Sequence, residues 1–199
     1  MKEFWDERFK QNEYVYGESP NAFLKSQLTK LPEGKILFPL EGEGRNACYA
    51  ATLGFKVDAF DFSEAGKKKA LELADKKSVV LNYSISKSED YDFGIEIYDY
   101  IVLIFAHLNP AIRPEIHQKI VKALKPNGRV IIEGFHPKQL ENNYPSGGPK
   151  SLEMLYTAEL LKNDFSDLNV LLTEEVETEL NEGNYHKGKA FVTRFIGQK

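Results

Sequence analysis

Cysteine is nearly missing: Cys48 is the single one among 199 residues. No internal disulfide can therefore form, and the composition gives no sign of an oxidising compartment. A reducing cytoplasm is the expectation. Long apolar runs are missing as well. The longest, YIVLIFA from Tyr100, falls far short of the roughly 20 residues that cross a bilayer, so it reads as a buried strand and no membrane partner is expected. Nor is there an excess of positive charge. With 26 Lys+Arg against 30 Asp+Glu, the formal charge is -4, which argues against a dedicated nucleic-acid surface, since that needs clustered cations to displace counterions from phosphates. The opening MKEFWDERFK is charged and aromatic, without the apolar core of about 7–15 residues that an export signal requires. No metal ligand set is assigned, and the oligomeric state is not legible. Small-molecule chemistry is favoured.

What is present fits one domain: 42% apolar residues in a chain of this length can bury a substantial core. Residues 1–33 read as an N-terminal cover and first helix, and residues 34–199 as the core. Short β-branched runs alternate with amphipathic stretches, the pattern of crossover units and of a parallel sheet covered by helices on both faces. Strands are expected at Lys35 to Leu40, Lys56 to Phe60, Val79 to Tyr83, Tyr98 to Phe105 and Gly128 to Glu133. Helices fit at Ala22 to Leu31, Asn46 to Leu53, Glu64 to Lys76, Pro114 to Leu124 and about Thr157 to Asp164. The last two runs, Asn169 to Val176 and Ala190 to Phe195, are joined by a connection too short for a parallel crossover, so they should form an antiparallel hairpin. The fold class expected is a Rossmann-like α/β three-layer sandwich with a seven-stranded, mostly parallel sheet.

In such sheets ligands collect at the carboxyl ends of the strands. After the first strand comes Gly42-Glu43-Gly44-Arg45-Asn46-Ala47, a relaxed GxGxxA turn at a helix N-terminus that lets a ligand approach the backbone. An ordinary structural turn is the alternative. The second strand ends in Asp61, about 20 residues on, where an acid accepts hydrogen bonds from both ribose hydroxyls. Asp61 with Ser63 also fits a plain helix cap, and Phe62 fits either an adenine stack or the core. A dinucleotide pyrophosphate would be repelled by Glu41, whereas an ammonium and a sulfonium would be attracted. The ligand expected is S-adenosylmethionine. A nicotinamide cofactor is the weaker alternative.

The sequence resembles the class I S-adenosylmethionine-dependent methyltransferases, closest to the small bacterial group related to the tellurite-resistance and thiopurine methyltransferases. The matching residues are WDERF (Trp5 to Phe9), YVYGESPNAFL (Tyr14 to Leu24), EGEGRNA (Glu41 to Ala47), DFS (Asp61 to Ser63), IFAHL (Ile104 to Leu108), LKPNGRVIIEGF (Leu124 to Phe135) and LNEGNYHKGKA (Leu180 to Ala190). The resemblance implies cofactor contacts at Glu41, Gly42, Gly44, Asn46, Asp61, Phe62, Ser63, Ser88, Phe105 and Tyr16. It also implies an N-terminal cover that includes Trp5, Tyr14 and Tyr16. Two departures stand out. The usual acid at the end of the first strand and a further glycine are replaced by Phe38 and Leu40, with Glu41 recovering some of the lost charge. Where an acid normally meets the adenine amino group, the stretch is Ser86-Lys87-Ser88, which leaves that contact to backbone or a serine hydroxyl.

Methyl transfer is an in-line displacement in which the protein aligns the nucleophile and excludes water. His107, at the mouth of the fourth strand, is one candidate base, with a structural histidine as the alternative. The hairpin loop offers His186 as a second, together with Asn181 and Glu182. In the tellurite-resistance relatives such residues face the substrate, a role the resemblance carries to His186 and Lys187. Lys187, Arg194 and Arg45 would suit a small anionic acceptor. A solvated turn is the plain alternative for this loop. Tyr144 to Ser151 reads as a flexible rim, Cys48 as buried packing, and Lys67, Lys68 and Lys69 as a solvated helix face. A base-methylating enzyme would want an Asn or Asp followed by two prolines and an aromatic, which Asn109-Pro110 does not supply. A non-catalytic cofactor-binding module remains a further reading.

Overall fold

The apolar runs fold into strands close to where the pattern puts them. The computed structural model describes residues 2–199. Its seven strands follow the order β3-β2-β1-β4-β5-β7-β6, and β7 lies antiparallel to β5. This is the Rossmann-like arrangement read from the sequence, a mostly parallel sheet ending in an antiparallel hairpin. The chain groups into two compact units, Met1–Tyr91 with Glu182–Tyr185, and Asp92–Asn181 with His186–Lys199.

The first unit holds α1 (Lys2–Phe9), α2 (Ala22–Leu28), β1 (Lys35–Pro39), α3 (Arg45–Thr52), β2 (Lys56–Asp61), α4 (Glu64–Lys76) and β3 (Asn82–Ile85). β1 and β2 are parallel from Lys35↔Lys56 to Pro39↔Phe60, and Ile36, Leu37 and Phe38 are buried. Asn21 caps α2 by accepting from Leu24 N–H, and Ser63 caps α4 by accepting from Gly66 N–H. Such caps satisfy amides that the first helical turn leaves unpaired. α2 stops at Leu28 and not Leu31, because the amides of Lys30 and Leu31 close short turns on Gln27 and Leu28 carbonyls ahead of Pro32. β3 starts later than the expected Val79. Ser78 adopts φ 54° and Val79 N–H closes on the Ala74 carbonyl, so the first apolar residues leave the helix instead of entering the sheet.

The turn at Glu182–Tyr185 clasps the N-terminal segment. Glu182 accepts from Asn21 Nδ2 at 2.8 Å and from Arg45 at 2.5 Å, and both charged side chains are buried. Asn184 N–H donates to the Val15 carbonyl at 3.1 Å, while Val15 N–H donates to Glu43 at 2.8 Å. Two motifs far apart in sequence, YVYGESPN and LNEGNY, are therefore parts of one clasp.

The second unit holds β4 (Tyr98–Ile104), α5 (Arg113–Ala123), β5 (Leu124–Phe135), α6 (Lys138–Glu141), α7 (Ala158–Asp164), β6 (Asn169–Glu182) and β7 (His186–Gln198). β5 begins at Leu124 instead of Gly128. Its pairing with β4 slips between Tyr98↔Leu124 and Tyr100↔Arg129, where Pro126 lacks an N–H for the ladder and Asn127 adopts φ 66°. The hairpin strands run much further than expected, to Glu182 and from His186. The rim segment after α6 is pinned: Gln139 Nε2 donates to Ser146 Oγ at 2.9 Å and to the Gly147 carbonyl at 3.1 Å. Among the described residues no helix is long and apolar enough to cross a membrane.

Gly183 sits at φ +68°, and a Cβ there would lie 2.4 Å from the Val15 carbonyl oxygen. Gly183→Ala is expected to lower unfolding stability by about 2 kcal/mol or more, since both the backbone conformation and the close approach forbid a side chain. Urea denaturation followed by circular dichroism measures it.

Candidate active site

Each unit has its own set of strand tips. In the first, β1 is followed by Leu40, whose φ of 54° marks a left-handed backbone. Such a conformation costs a non-glycine residue roughly 1–2 kcal/mol. Gly42 and Gly44 follow at φ +62° and +82°. A Cβ on Gly44 would come within 2.5 Å of Ala70 Cβ, so this glycine is what allows α3 to lie close to α4.

Asp61, at the tip of β2, is buried. Its two carboxylate oxygens accept from Gly42 N–H at 3.1 Å and Ser63 N–H at 2.8 Å. Burial raises its pKa to about 6 against the lowering effect of these amides. Tyr83 OH donates to the Gly42 carbonyl at 2.7 Å and so holds the next peptide, between Gly42 and Glu43. Glu41 turns back onto α3: its Oε1 accepts from the amides of Asn46 at 2.9 Å and Ala47 at 2.8 Å. Burial pushes Glu41 up to about 7, with Arg45 and the amides pulling the other way. The anion-binding end of this helix is thus filled by the protein's own carboxylate. That is where a dinucleotide would place its pyrophosphate.

Around this turn lie Asp6 and Phe9, to which the sequence reading gave no individual role, together with residues that it named. The Phe9 ring lies against Gly42, where a Cβ would be 2.9 Å from its Cζ, and Trp5 stacks on Phe9 at 5.4 Å. Ser63 Oγ donates to Asp6 at 2.5 Å. The i, i+1, i+4 spacing of Trp5, Asp6 and Phe9 on one helix was the available signal. Tyr16 is half-buried, accepts from Arg8 at 3.2 Å, and lies 6.4 Å from Trp5. Phe62 is half-buried, and buried Ser88 donates to Glu89 at 2.8 Å. Asn46 Oδ1 accepts from Asn21 N–H at 2.9 Å. Arg45, expected at a substrate, instead neutralises buried Glu182 and donates to the Ser19 carbonyl.

In the second unit, Phe105 follows β4 at φ 53°. A left-handed aromatic residue is held only when its surroundings overdetermine it. They do so here: Tyr156 OH donates to the Ala106 carbonyl at 3.0 Å and accepts from Leu108 N–H at 2.9 Å. Phe105 N–H donates to the Glu133 carbonyl at 2.7 Å. Phe105 stacks on Phe135 at 4.6 Å, and His186 presents its ring edge-on to both, at 4.5 and 5.3 Å.

His107 corrects the sequence reading of a candidate base. Its Nδ1 donates to the Met154 carbonyl at 2.7 Å, and its Nε2 accepts from Phe135 N–H at 3.0 Å. Both nitrogens are engaged with backbone, and burial lowers the pKa to about 4. The imidazole is a neutral brace between β5 and the segment before α7. Arg194 is similarly engaged, donating to buried Glu133 at 2.5 Å and to Glu174 at 3.2 Å. Lys187 is exposed. The structure therefore brings His186 together with Phe105, but not with Lys187 or Arg194.

Comparison with known proteins fits this geometry. Residues 41–128 match the family model described as a methyltransferase domain. No curated protein matches the chain by sequence. Among solved structures, one from work on the conversion of a disulfide bond into a thioacetal group during echinomycin biosynthesis is 15% identical. It has a TM-score of 0.81 and covers 100% of this chain and 91% of its own. TehB from Haemophilus influenzae is 18% identical with a TM-score of 0.73, covering 100% of this chain and 66% of its own. The Burkholderia thailandensis 1,6-didemethyltoxoflavin-N1-methyltransferase with bound S-adenosylhomocysteine is 20% identical, with a TM-score of 0.63, and covers 89% and 75%. At these identities the likeness shows a fold shared with S-adenosylmethionine-dependent methyltransferases. The residues present suit this cofactor: a glycine cradle at positive φ, an acid at the β2 tip, and a carboxylate in place of a phosphate site.

Replacing His107 by alanine leaves a buried amide and a buried carbonyl without their partner. A loss of about 2–4 kcal/mol in unfolding free energy is expected, measured by denaturant titration, and the pH profile of methyl transfer by the folded variant should be unchanged.

Proposed function

We propose that the chain, as a single methyltransferase domain over residues 1–199, moves a methyl group from S-adenosylmethionine to a small soluble acceptor. A thiol or a chalcogen oxyanion is the acceptor suggested by resemblance to the tellurite-resistance and thiopurine group. The observation that carries the reading is Glu41. Its carboxylate occupies the helix N-terminus beside the glycine turn, which repels phosphate and attracts a cationic methionine end.

When bound, the cofactor supplies an electrophilic methyl on a sulfonium. Asp61 keeps acceptor capacity beyond the amides of Gly42, Phe62 and Ser63 that it already serves, since a carboxylate has about four lone-pair sites; this suits a ribose hydroxyl. Phe62 is assigned to the adenine face, Ser88 to its polar edge, and Gly42, Gly44 and Asn46 to the turn that receives the methionine end. Phe105 and Tyr16 are assigned to walls that keep water out, and His186 to the acceptor. The acidic surface balance supports a partner that is neither nucleic acid nor membrane. Free, buried Cys48, whose thiol burial pushes up to about 12, accords with a reducing cytoplasm.

Calorimetric titration with S-adenosylhomocysteine tests the reading, and absence of heat at high protein concentration overturns it. Asp61→Ala should weaken that binding at least tenfold, about 1.4 kcal/mol. The pH dependence has a definite sign. Glu41 in the free protein titrates at about 7, and only its ionised form attracts an ammonium, so affinity should rise by about fivefold to tenfold between pH 6 and 8 and then level off. Glu41→Gln keeps an oxygen for the α3 amides; it should bind more weakly at pH 8 and lose the pH dependence without loss of thermal stability. A variant retaining the full pH dependence would show that another group is responsible.

A further inference from the structure

The acceptor's charge can be read from what surrounds His186. This inference rests on the methyl-transfer reading and narrows it. Successive side chains of a strand point to opposite faces. In β7, His186 is buried against Phe105 and Phe135, whereas the next residue, Lys187, is exposed. Lys187 therefore belongs to the opposite face. The arginines that the sequence offered to an anion are both committed, Arg45 to Glu182 and Arg194 to Glu133 and Glu174. Arg113 is held by Asp164 at 2.7 Å. His107, the other ring beside Phe135, has both nitrogens on backbone groups.

Among the described residues at the tips of β4 and β5, Phe105 stacks on Phe135, and His136, the next residue, faces Glu175 at 3.4 Å. Phe105 packs against a cluster of Phe135, Leu155, Leu180, Ala190 and Val192. An oxyanion entering such surroundings would shed its hydration without gaining a counter-charge, which is strongly unfavourable. Sulfur and π-faced groups, by contrast, make favourable contacts with aromatic edges.

We infer that the acceptor is an uncharged nucleophile carrying a proton on its reacting atom, seated against half-buried Phe105 with His186 at its reacting end, and that oxyanions are rejected. In the transfer, the acceptor's lone pair forms the bond to the methyl carbon. The donor's carbon–sulfur bond breaks with its electron pair returning to sulfur, and the acceptor's proton passes to the His186 imidazole and then to water.

The test titrates the protein, saturated with S-adenosylhomocysteine, with benzyl mercaptan and separately with sodium selenite. Benzyl mercaptan is expected to bind and selenite at equal concentration to give no heat. Phe105→Ala and the milder Phe105→Leu should weaken benzyl mercaptan binding, by at least tenfold for alanine, while an unchanged circular dichroism spectrum and urea midpoint report an intact fold. Lys187→Ala should change neither. His186→Gln should lower kcat for benzyl mercaptan about a hundredfold with KM within twofold. Selenite binding as tightly as the thiol, or Phe105 variants with undiminished thiol affinity, would overturn the inference while leaving the methyl-transfer reading intact. An unchanged kcat in His186→Gln would overturn the proton step. Failure of S-adenosylhomocysteine to bind at all would remove the underlying reading before any acceptor is added.

Discussion

The buried carboxylate of Asp61 holds the first strand tips in place. An acid kept from water must find donors, and Asp61 finds them in the amides of Gly42 and Ser63. That single group ties the turn after β1 to the entry of α4. Gly42 is left-handed where its N–H meets the carboxylate, and Tyr83 secures the carbonyl of the same residue, in the following peptide. The turn is thereby fixed before any ligand arrives, which is the preorganisation a binding site needs.

Glu41 gives the turn its charge. Phe38, near the end of β1, is buried in the core, and the carboxylate comes three residues later, bonded to amides in the first turn of α3. Leu40 between them adopts a left-handed backbone, a conformation that glycine holds at less cost.

Much of the fold was legible in the sequence because it depends on local periodicity. The strand at Tyr98, the helix at Glu64–Lys76 and the final hairpin follow from alternation, helical spacing and a connection too short for a crossover. The glycine turn and Asp61 were legible for the same reason: their spacing is set within one crossover unit. His107, Arg45 and Arg194 were not. Each was a polar residue near a strand tip or loop, and nothing local says whether its partner is a substrate or another part of the chain. Glu182 lies 137 residues from Arg45 and Glu133 lies 61 from Arg194, distances over which sequence carries no pairing rule.

The sequence by itself determined the alternation of strands and helices and the placing of the glycine turn and Asp61 at the ends of successive strands, because these depend on composition and on neighbours a few positions apart. Only the tertiary structure decided which charged side chains are already neutralised, that His107 braces the backbone, and that Phe9 lies over Gly42. Those outcomes depend on which groups meet once the chain has folded. A buried charge or polar atom must take the nearest available partner, however distant in sequence.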